Sequence, residues 1–375
     1  MGIKDLSKLI QSEAPGACQI KRLKDFRGQI LAVDVSNLMY QFAYNPQAKK
    51  PKYHLAGFFQ LVHELAQAEV MPLMILDGTP DQTKSHILIQ RQAEKDRKQT
   101  RLDELQATVD SLSRQVSDGS SAKALIQAQS QVKQIDKQII EVSQDMWTEV
   151  KALFKLLGVP CLEATGEADI LASQLSAKGL IGGIISEDMD HLVFGAKVLI
   201  RDFNNKRSPD LRVYSLETLL TELKLSSDQL IDVGILCGCD YSPKINGIAW
   251  KRAHELIKQN GSIETILTKI EKRTPGFEKF EVPAEFNYMG ARTMFKAGDP
   301  MAKLAKESGL MPGSFEAMEL KFVLMNNCNY RDTTLEPKFE VIQKFYQKWN
   351  SPKTDSLEQS IPVKIPAPKP KLKVV

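Results

Sequence analysis

QILAVDVS (residues 29–36) runs four apolar residues, Ile30 to Val33, straight into an acid, Asp34. A short run that is apolar at every position suits a strand covered on both faces, and such strands belong to parallel sheets flanked by helices. The same form recurs in PLMILDG (72–78), IGGIISED (181–188) and KVLIRDF (197–203). Segments with helical spacing, 55–69, 146–157 and 167–178, separate these runs. This alternation predicts an α/β fold: a mostly parallel central sheet with helices on both faces. Right-handed crossovers then gather the C-terminal ends of the strands along one edge.

Acids fall where that edge is expected. Asp34 follows QILAV, Asp77 follows PLMIL, and Asp188 follows GGIIS after one intervening Glu187, with Asp190 two residues on. Glu167 and Asp169, in EATGEAD, open the next helix, and Asp240 ends LIDVGILCGCD. Singly, each has an ordinary explanation: a turn residue, a helix cap or an Asx turn. Together they are harder to explain that way, because two carboxylates about 4 Å apart repel by roughly 4 kcal/mol at an effective dielectric of 20. Such a cluster protonates or recruits cations. Oxygen-only donors favour Mg²⁺ or Mn²⁺ over zinc, and two such ions would suit in-line attack on a phosphodiester.

Outward from this core the chain changes character. Residues 81–150 are polar and broken by SDGSS (117–121). Leu102, Leu105, Val109, Leu112 and Val116 stand at three- and four-residue steps, and Ile126, Val132, Ile135, Ile139 and Val142 form a looser series. A helical hairpin is expected, packed on itself or standing over the active edge. Residues 229–268 read as helix, tight turns, helix, and 275–350 as a helical lobe wrapped on the core. The last 25 residues hold five prolines and five lysines and are expected to be disordered.

Composition narrows the class. The 375 residues are 42% hydrophobic and 26% charged, which excludes wholesale disorder. No run of about 18 apolar residues predicts a membrane span. MGIKDLSKLI has no apolar signal core, and Leu6 stands where a myristoylation signal has Ser or Thr. Five cysteines without paired spacing read as reduced thiols, so the expected location is intracellular, nucleus or cytoplasm. A balance of 50 basic to 46 acidic side chains, net +4, does not by itself declare a nucleic-acid binder; the distribution must decide.

Several of these stretches, in order, resemble one family: the flap endonucleases and their structure-specific 5′-nuclease relatives. The resemblance runs from Met1 to about residue 270. It is carried by MGIKDLSKLI, LAVDVSNLMYQF, LDGTPDQTKSHILIQR, LLGVPCLEATGEADILAS, ISEDMDHLVFG and LCGCDYSPKINGIAWKRAHELI. By that resemblance Asp34, Asp77, Glu167, Asp169, Asp188, Asp190 and Asp240 match the metal-site acids of a two-Mg²⁺ centre, with Mn²⁺ serving as well. Asp169 stands where members often have the longer Glu. Lys84 and Arg91 match the basic pair directed at the scissile phosphate, and seven residues on a helix keep them on one face, roughly 10.5 Å apart. The alternative is a solvated basic face, since 84–101 holds six Lys or Arg. Tyr40 matches an aromatic that stacks on a base near the cut, or is core; Gly2 matches the residue whose amine lies near substrate.

DYSPKINGIAWKRA resembles the helix–two-turn–helix that grips the duplex backbone. There Gly247 permits a tight turn, while Lys244, Lys251, Arg252 and Lys258 supply charge that positions a duplex without reading it. Ala249 and Trp250 depart from the usual Gly and Pro. Lys244 stands near the turn where relatives hold a monovalent cation, and its ammonium either replaces or excludes that ion. A sliding-clamp peptide has no clear copy: QKFYQKW (343–349) has the wrong spacing and QSIPVKIP lacks aromatics.

The resemblance implies six segments. These are an N-terminal half-core (1–80), an arch or cap insertion (81–150), an internal half-core (151–240), a duplex-binding motif (241–270), a helical lobe (271–350) and a Lys/Pro tail (351–375). It implies a monomeric, metal-dependent 5′-nuclease of replication or repair acting on branched or flapped DNA. The alternatives are a 5′→3′ exonuclease or bubble-type nuclease, and a non-catalytic DNA-binding protein. An aspartyl-phosphate phosphatase would want an acid two residues after Asp34, where Ser36 stands.

Overall fold

The computed structural model describes residue 3 and residues 5–43, 52–79, 85–115, 119–136, 142–205, 208–308 and 310–351. Its centre is a seven-stranded sheet: β1 (Cys18–Lys21), β2 (Ile30–Asp34), β3 (Met71–Leu76), β4 (Cys161–Glu163), β5 (Gly183–Ile185), β6 (Val198–Arg201) and β7 (Leu211–Ser215). The order across the sheet is β1-β7-β6-β5-β2-β3-β4. Strands β6, β5, β2, β3 and β4 run parallel, and β7 is antiparallel to both its neighbours. The sheet is therefore mostly parallel, as the apolar runs predict.

Two cores explain why those runs are apolar throughout. Side chains alternate across a strand, so Ala32, Leu73, Ile75 and Leu199 enter one core while Leu31, Val33, Met74 and Ile200 enter the other. The first core is covered by α1 (Leu6–Glu13), α7 (Ala168–Ala177), α8 (Asp190–Val193), α9 (Leu216–Leu223) and α10 (Ser227–Cys237). It continues through α11 (Trp250–Asn260), α12 (Ile263–Glu271), α13 (Tyr288–Phe295) and α14 (Met301–Ser308). The second is covered by α2 (Val35–Ala43), α3 (Tyr53–Gln67), α6 (Gln144–Leu157), α15 (Ala317–Cys328) and α16 (Asp332–Asn350).

The remaining pair, α4 (Ser85–Gln115) and α5 (Gly119–Asp136), pack against each other, with Leu105, Val109 and Ala128 buried. Ile126, counted in the looser apolar series, is instead 67% exposed. Helix α4 begins eight residues after Asp77, so this pair springs from the strand-end edge itself. Among the described residues no helix is long and apolar enough to cross a membrane. The Lys/Pro tail after Ser351 lies outside the described residues.

Candidate metal centre

Four adjacent parallel strands, β5, β2, β3 and β4, end on the same side, and six of the seven predicted acids come from those ends or the turns that follow. Asp240 arrives from the C-terminal end of α10, after Gly238 turns the chain at φ 97°. All seven line one cleft of about 220 Å³. A larger cavity of about 580 Å³, beside α2, α3 and residues 203–205 and 208–209, contains only Glu64 among carboxylates of the described residues.

Several of the acids are held by partners remote in sequence. Asp34, the last residue of β2, is buried; its Oδ1 accepts the Asn37 N–H at 3.0 Å and its Oδ2 the Ser186 hydroxyl at 2.7 Å. Asp77 accepts the Ser36 hydroxyl and, at 2.8 Å, the N–H of Ala168. Ala168 is the first residue of α7, so Asp77 satisfies an orphan donor of a helix remote in sequence. Gly78 makes this approach feasible: a Cβ there would lie 1.9 Å from the Ala164 carbonyl oxygen, and its N–H donates to Gly166 at 2.8 Å.

Glu167 precedes α7 yet does not cap it; it accepts the phenol of Tyr241 at 2.5 Å. Asp188 Oδ1 accepts the Asp190 N–H at 3.0 Å, and Asp190 Oδ1 accepts the N–H of Ile3 at 2.7 Å. The capping and turn explanations thus account for parts of the set and not for its convergence.

The charges are in tension. Burial, then the neighbouring Asp188 carboxylate, pushes the Asp190 carboxyl well above its ordinary range. For Asp34, burial works in the same direction, but His191, the Asn37 amide and the Ser186 hydroxyl outweigh it and hold the carboxyl low. His191 is wholly buried, with Nε2 3.2 Å from Asp169 and 3.6 Å from Asp34. Burial would lower its pKa, but the charges of Asp169 and Asp34 raise it to about 9. Buried carboxylates that resist ionising together are the donors a divalent cation neutralises, and oxygen donors at this density suit Mg²⁺ or Mn²⁺. The residues fit the metal.

The other predicted residues divide. Tyr40 is half exposed and lines the same cleft. Gly247 adopts φ 81°, the conformation a tight turn requires, above the Phe280 ring. Lys244, Lys251 and Lys258 are exposed, and Arg252 lies 3.5 Å from Glu255. The Lys244 stem packs over Gly238. Gly2 and Lys84 lie outside the described residues; Arg91 falls on α4, but its side chain also lies outside them. Sequence reasoning overlooked Tyr241 and His191. The signal for His191 was its place directly after the acid pair in EDMDH; nothing local marks Tyr241 as a partner of Glu167.

Comparison with known proteins adds three findings. Residues 1–98 match the XPG N-terminal domain and residues 158–240 the XPG I-region. Flap endonuclease 1 of Zea mays is 32% identical over 309 residues, covering 79% of this chain and 75% of that protein. Flap endonuclease 1-B of Oryza sativa subsp. japonica is 31% identical, covering 79% and 69%. Flap endonuclease 1 of Cryptosporidium muris is 30% identical over 82% of this chain, which spans 64% of that relative's length. Among solved structures, the catalytic core of Rad2 in complex with DNA substrate aligns with TM-score 0.65 at 18% identity, covering 92% and 99%. Flap endonuclease-1 from Methanococcus jannaschii aligns at 0.62 and 20% identity, covering 88% and 96%. These alignments concern the fold.

Proposed function

The chain belongs to the flap endonuclease family, and from that premise we propose that it hydrolyses a phosphodiester at single-strand/double-strand DNA junctions. The observation that carries this reading is the convergence of seven carboxylates on one cleft, six from four adjacent strand ends and Asp240 from the end of α10. Two Mg²⁺ ions, or Mn²⁺, would supply Lewis acidity there, neutralising phosphate charge and activating the attacking water. Asp34, Asp77, Glu167, Asp169, Asp188, Asp190 and Asp240 would hold them.

Water attacks phosphorus and the bond to the 3′ oxygen breaks, leaving a 3′-hydroxyl and a 5′-phosphate. Lys84 and Arg91 direct positive charge at the reacting phosphate. Tyr40 stacks on a base beside the cut, which is compatible with any sequence. Gly247, Lys244, Lys251 and Arg252 engage the duplex backbone away from the cleft, and the Gly2 amine approaches substrate at the N-terminus. The partner is branched or flapped DNA, bound by a monomer inside the cell.

The test compares labelled 5′-flap, nicked, gapped and blunt DNA with Mg²⁺ or EDTA, using the wild type and Asp188→Ala. The wild type cuts the flap only with Mg²⁺, and the variant loses about a hundredfold or more in rate while still binding the substrate. Undiminished cutting by a folded Asp188→Ala rejects the metal mechanism. Tight binding of flap DNA by a wild type that never cuts assigns the protein to the non-catalytic alternative.

A further inference from the structure

His191 follows Asp190 directly, and the turn that delivers Asp190 to the cleft carries this imidazole beneath it, out of reach of solvent. Its Nε2 faces Oδ1 of Asp169 at 3.2 Å and Oδ2 of Asp34 at 3.6 Å. One donor atom from each of the three residues lies within 4.8 Å of the other two. Despite this proximity Nε2 makes no hydrogen bond of acceptable geometry. A buried polar atom this close to two carboxylates without a well-aligned hydrogen bond to either requires an explanation.

The other side of the ring supplies one. Nδ1 lies 3.1 Å from the Ser173 hydroxyl oxygen, and that hydroxyl donates to the His191 carbonyl oxygen at 3.4 Å. A hydroxyl has one proton; having given it to the carbonyl, it can only accept from Nδ1–H. With Nδ1–H so engaged, an incoming cation displaces the proton that the two carboxylates hold on Nε2, and the lone pair so freed points between them. A hydrogen bond that orients the distal nitrogen is the usual support of a metal-ligating histidine. The Nε2–oxygen separations of 3.2 and 3.6 Å suit an ion about 2.0–2.2 Å from the nitrogen and either oxygen, the ordinary reach of zinc to imidazole and carboxylate. Residue 169 contributes through its length: a Glu would carry its carboxylate about 1.5 Å further along the side chain, away from this reach.

We propose that Asp34, Asp169 and His191 form a mixed nitrogen–oxygen cation site in the floor of the cleft that takes a first-row transition ion, such as Zn²⁺ or Mn²⁺, in preference to Mg²⁺. Imidazole is a good ligand for these ions and a poor one for Mg²⁺, which keeps to oxygen. The remaining acids offer oxygen alone, so the cleft presents two donor classes side by side. The proposal rests on the reading of the cleft as a metal centre.

Pulsed electron paramagnetic resonance of Mn²⁺ added stepwise to the full chain tests it, with the five histidines carrying either natural nitrogen or ¹⁵N. The expected result is nitrogen modulation of a bound Mn²⁺ that changes with the isotope and disappears in His191→Gln. Calorimetry should show that this variant binds Zn²⁺ about tenfold or more weakly, with Mg²⁺ affinity within about twofold of wild type. The isotope comparison is made on the wild type, so it does not depend on whether the variant folds. Mn²⁺ bound up to saturation without imidazole coupling overturns the mixed site and leaves the oxygen-donor centre standing. Failure of Mn²⁺ to bind at all overturns both.

Discussion

Asp190 is held by a backbone amide 187 residues away: Ile3 donates to Oδ1 while Asp188 and burial raise the pKa of the same carboxyl. An unfolded Asp loses its proton near 3.8, but the folded one resists, so in metal-free buffer stability falls as pH rises from about 3.8 through the raised folded value. Asn keeps an oxygen for the Ile3 N–H and carries no charge. Asp190→Asn should therefore be more stable than wild type at pH 7 in EDTA, by about 1–3 kcal/mol, and the gain should vanish below about pH 4. Saturating Mg²⁺ should reverse the order, because only the wild type gains the full binding energy. Thermal melts at both pH values, with and without metal, measure this; a destabilised Asn variant in EDTA at pH 7 would contradict it. The acids themselves are legible in the sequence because a strand end places its next residue locally. Their partners are not: Ser186 reaches Asp34 across 152 residues and Tyr241 reaches Glu167 across 74, contacts that no local spacing encodes.

Elements differ in legibility for a related reason. Strands β2, β3, β5 and β6 are buried on both faces and announce themselves as apolar runs. Strands β1, β4 and β7 were missed. β4 has three residues with two exposed, β1 exposes Ile20, and β7 is interrupted by Arg212, which pairs with Asp202. Helix α13 shows how a polar residue can join elements instead. Arg292 forks onto buried Asp232 of α10, with N–O distances of 2.7–2.8 Å, and bonds Glu264 of α12 at 2.6 Å. Asp232 also accepts the Ile263 N–H at the start of α12. Arg292→Met leaves a buried carboxylate with one amide partner and should destabilise the protein by about 3 kcal/mol. Adding Asp232→Asn should restore much of that loss in a double-variant cycle. The hydrogen bond from Arg292 depresses Glu264 to about 2, so its contribution is complete above the ordinary 4.5 and is lost as pH falls from 4.5 through about 2. The stability gap between wild type and Arg292→Met should therefore narrow across that acid window in urea titrations. A gap constant from pH 7 to pH 2 would remove Glu264 from the account.

At the scale of the molecule, the net charge of +4 averages two opposed regions. Seven carboxylates sit at one sheet edge, while Lys244, Lys251, Arg252 and Lys258 stand on the turn before α11 and on α11 itself. The composition hides this division because it emerges only when the sheet order gathers strands β5, β2, β3 and β4, an order the one-dimensional sequence leaves open. Under the proposed function the division would separate two tasks: the cleft would bind cations to approach phosphate, whereas the basic segment would hold phosphate without them. DNA affinity measured in EDTA, where no strand is cut, should therefore persist and fall linearly with log salt. Four cations at the duplex predict a contribution to the slope of about −3 to −4. Replacing Lys244 and Lys251 with Ala should reduce the magnitude of the slope by about 2 and weaken flap and plain duplex alike, since backbone contacts carry no sequence or branch information. The same substitutions should leave single-turnover cutting at saturating enzyme within about twofold, because neither side chain lies at the reacting phosphate. A slope unchanged by both replacements would assign the duplex grip to another surface. A large loss in the saturated rate would bring the turn into the chemistry.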